Sequence, residues 1–139
     1  MKFDHIGVVT ASLAKGRDQL SQLLPIEAWT AEFEDTINDV WVQFGRDTSG
    51  ICYELISPRG ETSPVAKALK SGNNILNHVA YLVSDLATEA TRVRAAGAVP
   101  LGEPKPAIAY SGAHIQFFLT RMKTILELIE APGHQHTYL

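Results

Sequence analysis

Two histidines and two glutamates of this 139-residue chain recur at one fixed spacing. His5 and His78 are 73 residues apart, and Glu54 and Glu127 are separated by the same 73 residues. Each lies in the middle of an apolar, strand-like segment, where an unpaired carboxylate would be costly to bury. Two neutral imidazoles and two carboxylates neutralise a divalent cation and suit a borderline first-row metal. These residue types therefore predict one metal site, provided that the fold brings all four together.

The repeat carries more weight than any one of these residues. A single strand histidine is more often a packed or surface residue than a ligand, and a single strand glutamate more often faces solvent. Further blocks keep the same offset in the same order, which favours a true internal repeat. They pair residues 12–14 with 85–87, residues 41–44 with 114–117, and residues 53–56 with 126–129.

Each repeat has the layout of a strand, a helix and three further strands. Apolar, β-branched segments predict the strands, and apolar residues recur at near-helical spacing between Leu86 and Ala96. Asp85 is placed to cap this second helix, and Gly97 to follow its end. The predicted elements are strands 3–10, 27–33, 39–45 and 51–57 with helix 12–24, then strands 76–83, 98–102, 113–119 and 124–130 with helix 85–96.

Length and composition favour one compact domain. Hydrophobic residues make up 45% of the chain and charged residues 19%, which is typical of a globular protein. Residues 1–139 are therefore predicted to form a single α+β domain made of two βαβββ repeats, about 3–58 and 76–130.

The segments outside the repeats are predicted to be irregular. The linker over residues 59–75 is rich in turn formers and contains a short helix for which Ser63 is the expected cap. Residues 131–139 are predicted to be a frayed tail, in which His134 and His136 are exposed to solvent.

Net charge and cysteine content bear on the binding partners and the cellular location of the protein. A net charge of −3 without a basic stripe argues against nucleic acid. The apolar runs are strand-length, so no membrane-spanning segment is predicted, and no signal-peptide pattern is seen. The single Cys52 cannot form an internal disulfide, which fits a reducing cytoplasm. We therefore predict a cytoplasmic protein that acts on a small molecule, without nucleic-acid or membrane partners.

Four segments of the chain resemble the vicinal-oxygen-chelate (glyoxalase/bleomycin resistance/dioxygenase) superfamily. They are residues 3–9, 53–58, 77–86 and 125–130. The resemblance implies a cup-shaped, mostly antiparallel eight-stranded sheet with helices outside, and a homodimer. It also implies one divalent ion (Co, Ni, Mn, Zn or Mg) at the base of the cup, with His5, Glu54, His78 and Glu127 as its ligands.

Within that superfamily the chain most resembles methylmalonyl-CoA epimerase and its glyoxalase-4-type relatives. The segments that indicate this are residues 54–58, 60–65, 102–106 and 110–112. Epimerases commonly have glutamine at the position of Glu54, so the glutamate here is a departure toward the glyoxalases. Glu34 falls close to the general-base glutamate of the epimerases. Two neighbouring acidic residues, Glu32 and Asp35, are alternatives, and a solvated acidic edge is an equally weighted interpretation of all three.

The resemblance predicts a metal-dependent isomerase or lyase that removes a proton next to a carbonyl of a small acyl thioester or α-hydroxycarbonyl. Glu34, helped by Glu127, is the expected base. A fourth protein ligand argues against a ring-cleaving dioxygenase. Expected substrate contacts are Gln116, Tyr110 and Cys52. Possible cations for a coenzyme A substrate are Arg59, Lys67, Lys70, Lys105, Arg121 and Lys123.

Two other functions remain open at this point. One is a non-catalytic protein of the same fold that binds a small molecule or antibiotic. The other is an accessory enzyme of a biosynthetic pathway that acts on a larger aromatic substrate.

Overall fold

The computed structural model describes residues 1–73 and 75–139, so Asn74, within the predicted linker, lies outside the described residues. The first half of the chain contains β1 (Lys2–Val9), α1 (Leu13–Leu23), β2 (Ile26–Trp29), β3 (Phe33–Asp35), β4 (Val40–Asp47) and β5 (Cys52–Pro58). The second half contains α2 (Ala66–Ser71), β6 (Leu76–Leu82), α3 (Leu86–Ala95), β7 (Val99–Pro100), β8 (Lys105–Ala107), β9 (Ala113–Leu119) and β10 (Ile125–Ile129).

All of these strands belong to one open sheet, and the predicted α+β class is confirmed. Its main path has the eight strands that were predicted, in the order β2-β4-β5-β1-β6-β10-β9-β7. Strands β1 and β5 are parallel, as are β6 and β10, whereas β1 and β6 are antiparallel. Since β1 and β6 open the two repeats and run side by side in opposite directions, an approximate twofold axis passes between them.

The second predicted strand of each repeat is split into two short strands. Strands β2 and β3 replace the predicted strand 27–33, and both pair with β4. Strand β7 occupies part of the predicted strand 98–102, β8 lies beyond its end, and both pair with β9. The described sheet therefore has ten strands, with β3 and β8 at the sides of the main path.

Two glutamines hold the chain where each split occurs. The Nε2 of Gln43 donates to the carbonyl of Thr30 at 2.8 Å, and the Nε2 of Gln116 donates to the carbonyl of Gly102 at 2.9 Å. These glutamines are also 73 residues apart. Each satisfies a backbone acceptor that a continuous strand would pair with its neighbour, so the same break is built into both halves.

Side-chain caps begin the two longer helices at equivalent positions. Ser12 accepts a backbone N–H at the start of α1, and Asp85 does so at the start of α3. Gly97, at φ +97°, follows the end of α3 in the left-handed conformation that favours glycine. The predicted cap at Ser63 is wrong, because α2 begins after Val65 and has no side-chain cap.

The C-terminal prediction is also wrong, because residues 131–139 are packed rather than frayed. Tyr138 forms an isolated β-bridge with Thr30, and His134 and His136 are both partly buried. Over residues 134–139, the partly buried residues are His134, His136 and Tyr138, which alternate with exposed ones. None of them is aliphatic, so their packing depends on tertiary neighbours that the local sequence does not reveal.

Two apolar clusters form the core. One includes Phe44, Ile56 and Leu82 of β4, β5 and β6. The other lies between α3 and the sheet and includes Val93 and Phe118.

Within residues 1–73 and 75–139, none of the helices combines the length and apolar character needed to cross a bilayer.

Asp85→Ala is expected to lower the free energy of unfolding by about 1 kcal/mol, because the first turn of α3 loses its cap. Ser63→Ala is the matched control, because the Ser63 hydroxyl has no hydrogen-bond partner among the described residues. No loss of stability is expected from this change, because it removes a buried hydroxyl that makes no hydrogen bond among the described residues. Urea denaturation followed by circular dichroism measures both values, and an equal loss in the two variants would contradict the assignment of the caps.

Candidate metal centre

Four adjacent strands, β5, β1, β6 and β10, carry the four predicted ligands. Glu54 of β5 is in register with Gly7 of β1, and Gly7 is in register with His78 of β6. Because residues i and i+2 share a face of a strand, the next row projects to the same side. That second row consists of His5 of β1, Ala80 of β6 and Glu127 of β10.

A small residue lies in the middle of each row. Gly7 and Ala80 are 73 residues apart and occupy equivalent positions between two ligands. A Cβ atom built on Gly7 would overlap the ring of His78, so the imidazole lies directly over the backbone of β1. Glycine is needed here for space rather than for backbone conformation.

The four donor groups converge on one point. One possible ligand atom from each lies within 4.8 Å of the other three. The Nε2 atoms of His5 and His78 are 2.9 Å apart, and the His5 Nε2 is 3.2 Å from Oε2 of both Glu54 and Glu127. The His78 Nε2 is 3.3 Å and 2.9 Å from the same two oxygens. An ion with ligands at about 2.1 Å places neighbouring donors roughly 3.0–3.4 Å apart, which agrees with these distances.

Outer hydrogen bonds determine which ring nitrogen faces that point. The Nδ1 of His5 donates to Oδ2 of Asp4 at 2.8 Å, and the Nδ1 of His78 donates to Oδ1 of Asn77 at 2.9 Å. Both partners are acceptors, so each Nδ1 carries a proton and Nε2 is left to bind an ion. Asp4 and Asn77 are another pair with the 73-residue offset.

Asp4 is held by two further side chains. Its Oδ2 accepts from the Tyr110 hydroxyl at 2.6 Å, and His136 Nε2 lies 3.0 Å from the same oxygen. Burial alone would raise the pKa of Asp4, but the hydrogen bonds from His136 and His5 outweigh it and hold that pKa well below its ordinary value. Asp4 is therefore an ionised acceptor behind His5.

The electrostatics of the centre favour positive charge. Burial opposes ionisation of Glu54, but the adjacent His5 and His78 lower its pKa to about 2, and the pKa of Glu127 is lowered for the same reasons. Burial also disfavours the charged imidazoles, yet the two carboxylates hold the pKa of His5 well above its ordinary value and raise that of His78. Two ionised carboxylates therefore face a point that suits a cation.

One carboxylate oxygen of the cluster also has room for a bond to a cation. Glu127 Oε2 is fully buried and makes no hydrogen bond of acceptable geometry within the described residues, although an imidazole nitrogen lies 2.9 Å away. A buried carboxylate oxygen in this situation is costly unless a cation satisfies it. The His₂Glu₂ cluster thus fits one divalent metal ion, and its composition does not select a particular metal.

A cavity of about 290 Å³ opens over the cluster. Glu54, His78 and Glu127 lie at its floor. Its walls are mainly apolar and include Val40, Val42, Ile56, Ile115, Phe117 and Ile125. Of the six cations that the sequence suggested for a coenzyme A substrate, Lys105 lines the cavity, whereas the other five are not among its lining residues.

The predicted substrate contacts are placed differently from one another. Tyr110 lines the cavity, but its hydroxyl is donated to Asp4. Gln116 borders the cavity with its amide committed to the Gly102 carbonyl, so its observed contact is structural. Cys52 is not a lining residue, because the C-terminal residues cover it and the Tyr138 hydroxyl donates to its Sγ at 3.4 Å.

Glu34 is not among the residues that line the cavity, which disfavours it as the base. The alternation of β3 turns its side chain outward, where it pairs with Arg59 at 3.4 Å. Asp35 does line the cavity, but its Oδ1 accepts the backbone N–H groups of two residues in the following turn. The third acidic candidate, Glu32, is exposed and lies 3.5 Å from Arg17. Glu32 and Glu34 are therefore exposed side chains in surface ion pairs, whereas Asp35 is buried and stabilises the following turn.

Sequence analysis missed four residues that shape the centre, namely Gly7, Ala80, Asp4 and His136. The 73-residue offset contains a signal for the first three, because Gly7 aligns with Ala80 and Asp4 with Asn77. Nothing in the repeat could have found His136, which lies beyond the second repeat.

Together, the two related halves, the open sheet and the His₂Glu₂ cluster define a small domain in which four possible metal ligands meet beside an apolar cavity. The chain belongs to the Glyoxalase/Bleomycin resistance protein/Dioxygenase superfamily, whose family model matches residues 4–117. The resemblance found in the sequence is confirmed. No curated protein matches the chain significantly.

Solved structures share this fold. Methylmalonyl-CoA epimerase from Mycobacterium tuberculosis has a TM-score of 0.76 and 22% identity over 92% of this chain and 86% of its own. A hypothetical protein from Bacillus halodurans has a TM-score of 0.79 and 21% identity over 98% of both chains. A variant of the Streptomyces coelicolor epimerase in complex with 2-nitronate-propionyl-CoA has a TM-score of 0.74 and 22% identity over 99% of both chains. At these identities the likeness shows the fold.

Gly7→Ala is expected to abolish binding of a divalent ion at this centre, because the added methyl group displaces the His78 ring. Gly60→Ala is the matched control, since nothing lies within 4 Å of a Cβ at Gly60. Isothermal titration of each chelator-treated protein with cobalt measures the effect. Wild-type affinity in a folded Gly7→Ala protein would show that the His78 ring does not need this space.

Proposed function

We propose that the protein is a divalent-metal-dependent isomerase or lyase that removes a proton from the carbon next to a carbonyl group. The observation that carries this proposal is the convergence of His5, Glu54, His78 and Glu127 on one point, with Glu54, His78 and Glu127 lining the adjoining cavity. Superfamily membership and the fold shared with epimerases support an enzyme of this type.

When bound, a divalent ion supplies Lewis-acid stabilisation of the negative charge that develops on a carbonyl oxygen during proton removal. His5 and His78 hold fixed positions because Asp4 and Asn77 orient their rings. The apolar walls exclude water from the reacting carbon, which strengthens electrostatic interactions within the cavity.

Glu127 is our candidate for the group that moves the proton. It lies on the cavity floor, and its Oε2 makes no conventional hydrogen bond to the described residues. Asp35 is unsuitable because the following turn uses its oxygens. Glu103 lines the cavity at an exposed position, away from the floor, which makes it a weaker candidate.

The cavity favours a small, mainly apolar carbonyl compound. An acyl thioester or an α-hydroxycarbonyl would present its oxygens to the floor and its carbon chain to the aliphatic walls. One solved epimerase of this fold is a complex with methylmalonyl-CoA, with 22% identity over 98% of both chains and a TM-score of 0.73. In this chain Lys105 is the one lysine or arginine among the described lining residues, so we propose that recognition depends mainly on the acyl portion.

A metal-dependent binding protein is the second candidate. The observation that favours it is that no carboxylate at the cavity floor, among the described residues, is independent of the His₂Glu₂ cluster. Proton exchange separates the two functions, because a binding protein retains the substrate without exchanging its acidic hydrogen.

Glu127→Gln is expected to lower proton exchange at least 100-fold, because an amide cannot accept the proton. Glu34→Gln is the matched control and is expected to keep the wild-type rate, since its side chain lies outside the cavity. The measurement is deuterium incorporation, by nuclear magnetic resonance, into 2-substituted acyl thioesters and hemithioacetals with protein loaded with cobalt, nickel, manganese, zinc or magnesium.

Elemental analysis of each preparation accompanies that measurement. About one ion per chain is expected in the wild-type protein. Exchange that is lost in Glu34→Gln and kept in Glu127→Gln would overturn the assignment of the base. A wild-type protein that binds the ion and compound without exchange would favour the binding function.

We also propose that the protein forms a homodimer through the outer face of β1 and β6. Phe3 and Val79 project there and are 39% and 41% exposed, and the ring of Phe3 lies against Tyr81. Helix α1 packs on β4 and β5, and α3 packs on β10, so this central apolar strip lies between them. A twofold contact would bury the same strip of both copies.

Val79→Lys is expected to convert the dimer to a monomer, because the contact would place lysines of both copies in an apolar interface. Met122→Lys, in the exposed turn before β10, is the matched control and should leave the dimer intact. Sedimentation equilibrium measures the mass of each. A monomeric wild-type protein at micromolar concentration would refute the dimer.

A further inference from the structure

The C-terminal segment, defined as residues 134–139, lies directly behind the metal centre. The ring of His136 stacks on Phe44 with their centroids 4.2 Å apart. Phe44 is completely buried, and its ring meets the ring of His5 at 5.4 Å. The segment therefore packs on the His5 side of the centre, and His136 is not among the residues that line the cavity.

A chain of hydrogen bonds joins this segment to an ion ligand. The Nε2 of His136 is 3.0 Å and 3.2 Å from the two oxygens of Asp4, and Asp4 accepts from the Nδ1 of His5 at 2.8 Å. The side chains of His136 and Asp4 are only 8% and 6% exposed. One residue thus separates His136 from the His5 ring whose other nitrogen faces the centre.

The far end of the segment is anchored separately. The Leu139 N–H donates to the carbonyl of Trp29 at 2.9 Å. The Tyr138 hydroxyl donates to the buried Cys52 Sγ, and the Arg46 guanidinium lies 4.6 Å from the centre of the Tyr138 ring. His136 is therefore part of a docked segment whose far end is held by contacts that do not involve Asp4.

Asp4, His5 and His136 bring three possible metal-binding groups together, but their arrangement is better explained by hydrogen bonding. Asp4 accepts from His5, Tyr110 and His136 at 2.6–3.0 Å through one oxygen. Without His136, this nearly buried carboxylate loses one of its donors. A buried charge that loses a partner reorients or draws in water, and the His5 ring would follow.

We propose that the C-terminal segment contributes to the metal centre, because His136 positions Asp4 and Asp4 in turn positions His5. Docking of the segment and binding of the ion then stabilise each other. His136 and Asp4 are positioning residues, since neither faces the cavity floor. This inference rests on the metal site of the proposed function, but it does not depend on the reaction catalysed there.

Three full-length variants test the positioning role. His136→Ala removes the donor to Asp4, His136→Gln restores an N–H donor, and Gln135→Ala alters an exposed neighbour in the same segment. Cobalt(II) affinity is measured by competition with a chromophoric chelator, and the visible spectrum of the bound cobalt reports its ligand geometry.

His136→Ala is expected to bind cobalt about tenfold more weakly, as outer-shell substitutions commonly do, with shifted visible bands. His136→Gln is expected to recover most of the affinity and the wild-type bands, and Gln135→Ala to match the wild type. Wild-type affinity and spectrum in both His136 variants would overturn the proposal. The Gln variant keeps the test decisive if the Ala variant folds poorly.

The rate at which Cys52 is alkylated is an independent measure of whether the C-terminal segment is docked. It is the single cysteine of the chain and lies beneath Tyr138, 5% exposed. Coupling between two binding events is reciprocal, so cobalt should slow alkylation of Cys52 by iodoacetamide several-fold at fixed pH in the wild-type protein. In His136→Ala this protection is expected to vanish. Equal alkylation rates with and without cobalt in the wild-type protein would overturn the coupling.

The outcomes separate this inference from the proposed function. A wild-type protein that takes up no cobalt would overturn both. If cobalt binds, but the His136 variants have the wild-type affinity and Cys52 is alkylated at the same rate with and without cobalt, only the coupling is overturned. Cobalt binding that depends on His136, in a protein without proton exchange, would support the coupling while the proposed reaction fails.

Discussion

The constraint on which the rest of the structure depends is the burial of two carboxylates and two imidazoles at one point. Their ligand atoms are only about 3 Å apart and almost completely enclosed, so the site is costly unless positive charge lies among them. The approximate twofold arrangement of the sheet brings these four side chains together and needs few other residues to do so. Gly7 and Ala80 provide space in the middle of each row, and the rows place one histidine and one glutamate from each half on a common face.

The same constraint explains why the surroundings of the centre are so polar in a molecule with an apolar core. Imidazole rings must be oriented before they can act as ligands, and Asp4 and Asn77 do this from equivalent positions. The symmetry then ends. Asp4 is a carboxylate that also engages Tyr110 and the C-terminal segment, so the His5 side of the centre depends on residues outside the repeat.

Comparison with solved epimerases establishes a shared fold, whereas the details of this cavity distinguish the chain. Glu54 adds a second carboxylate to the cluster, at a position where the resemblance seen in the sequence implies glutamine. Glu34, which the same resemblance implies as the base, is exposed and pairs with Arg59. These two differences lead to the same conclusion. The groups available for acid–base chemistry are the candidate metal ligands themselves. A proton-transfer function would therefore rely on Glu127, at the floor of the cavity.

The sequence by itself determined the repeat, the α+β class and the four candidate ligands. The alternation of apolar residues and the constant 73-residue offset can be read directly from the order of the residues. The sequence also located most strands within one or two residues. Only the tertiary structure decided that Glu34 faces outward, that Cys52 is covered, and that His136 reaches Asp4. Each of these depends on which distant segment packs against a side chain. The breaks between β2 and β3 and between β7 and β8 were also decided by the tertiary structure. The glutamine that satisfies the carbonyl at each break lies more than ten residues away in sequence.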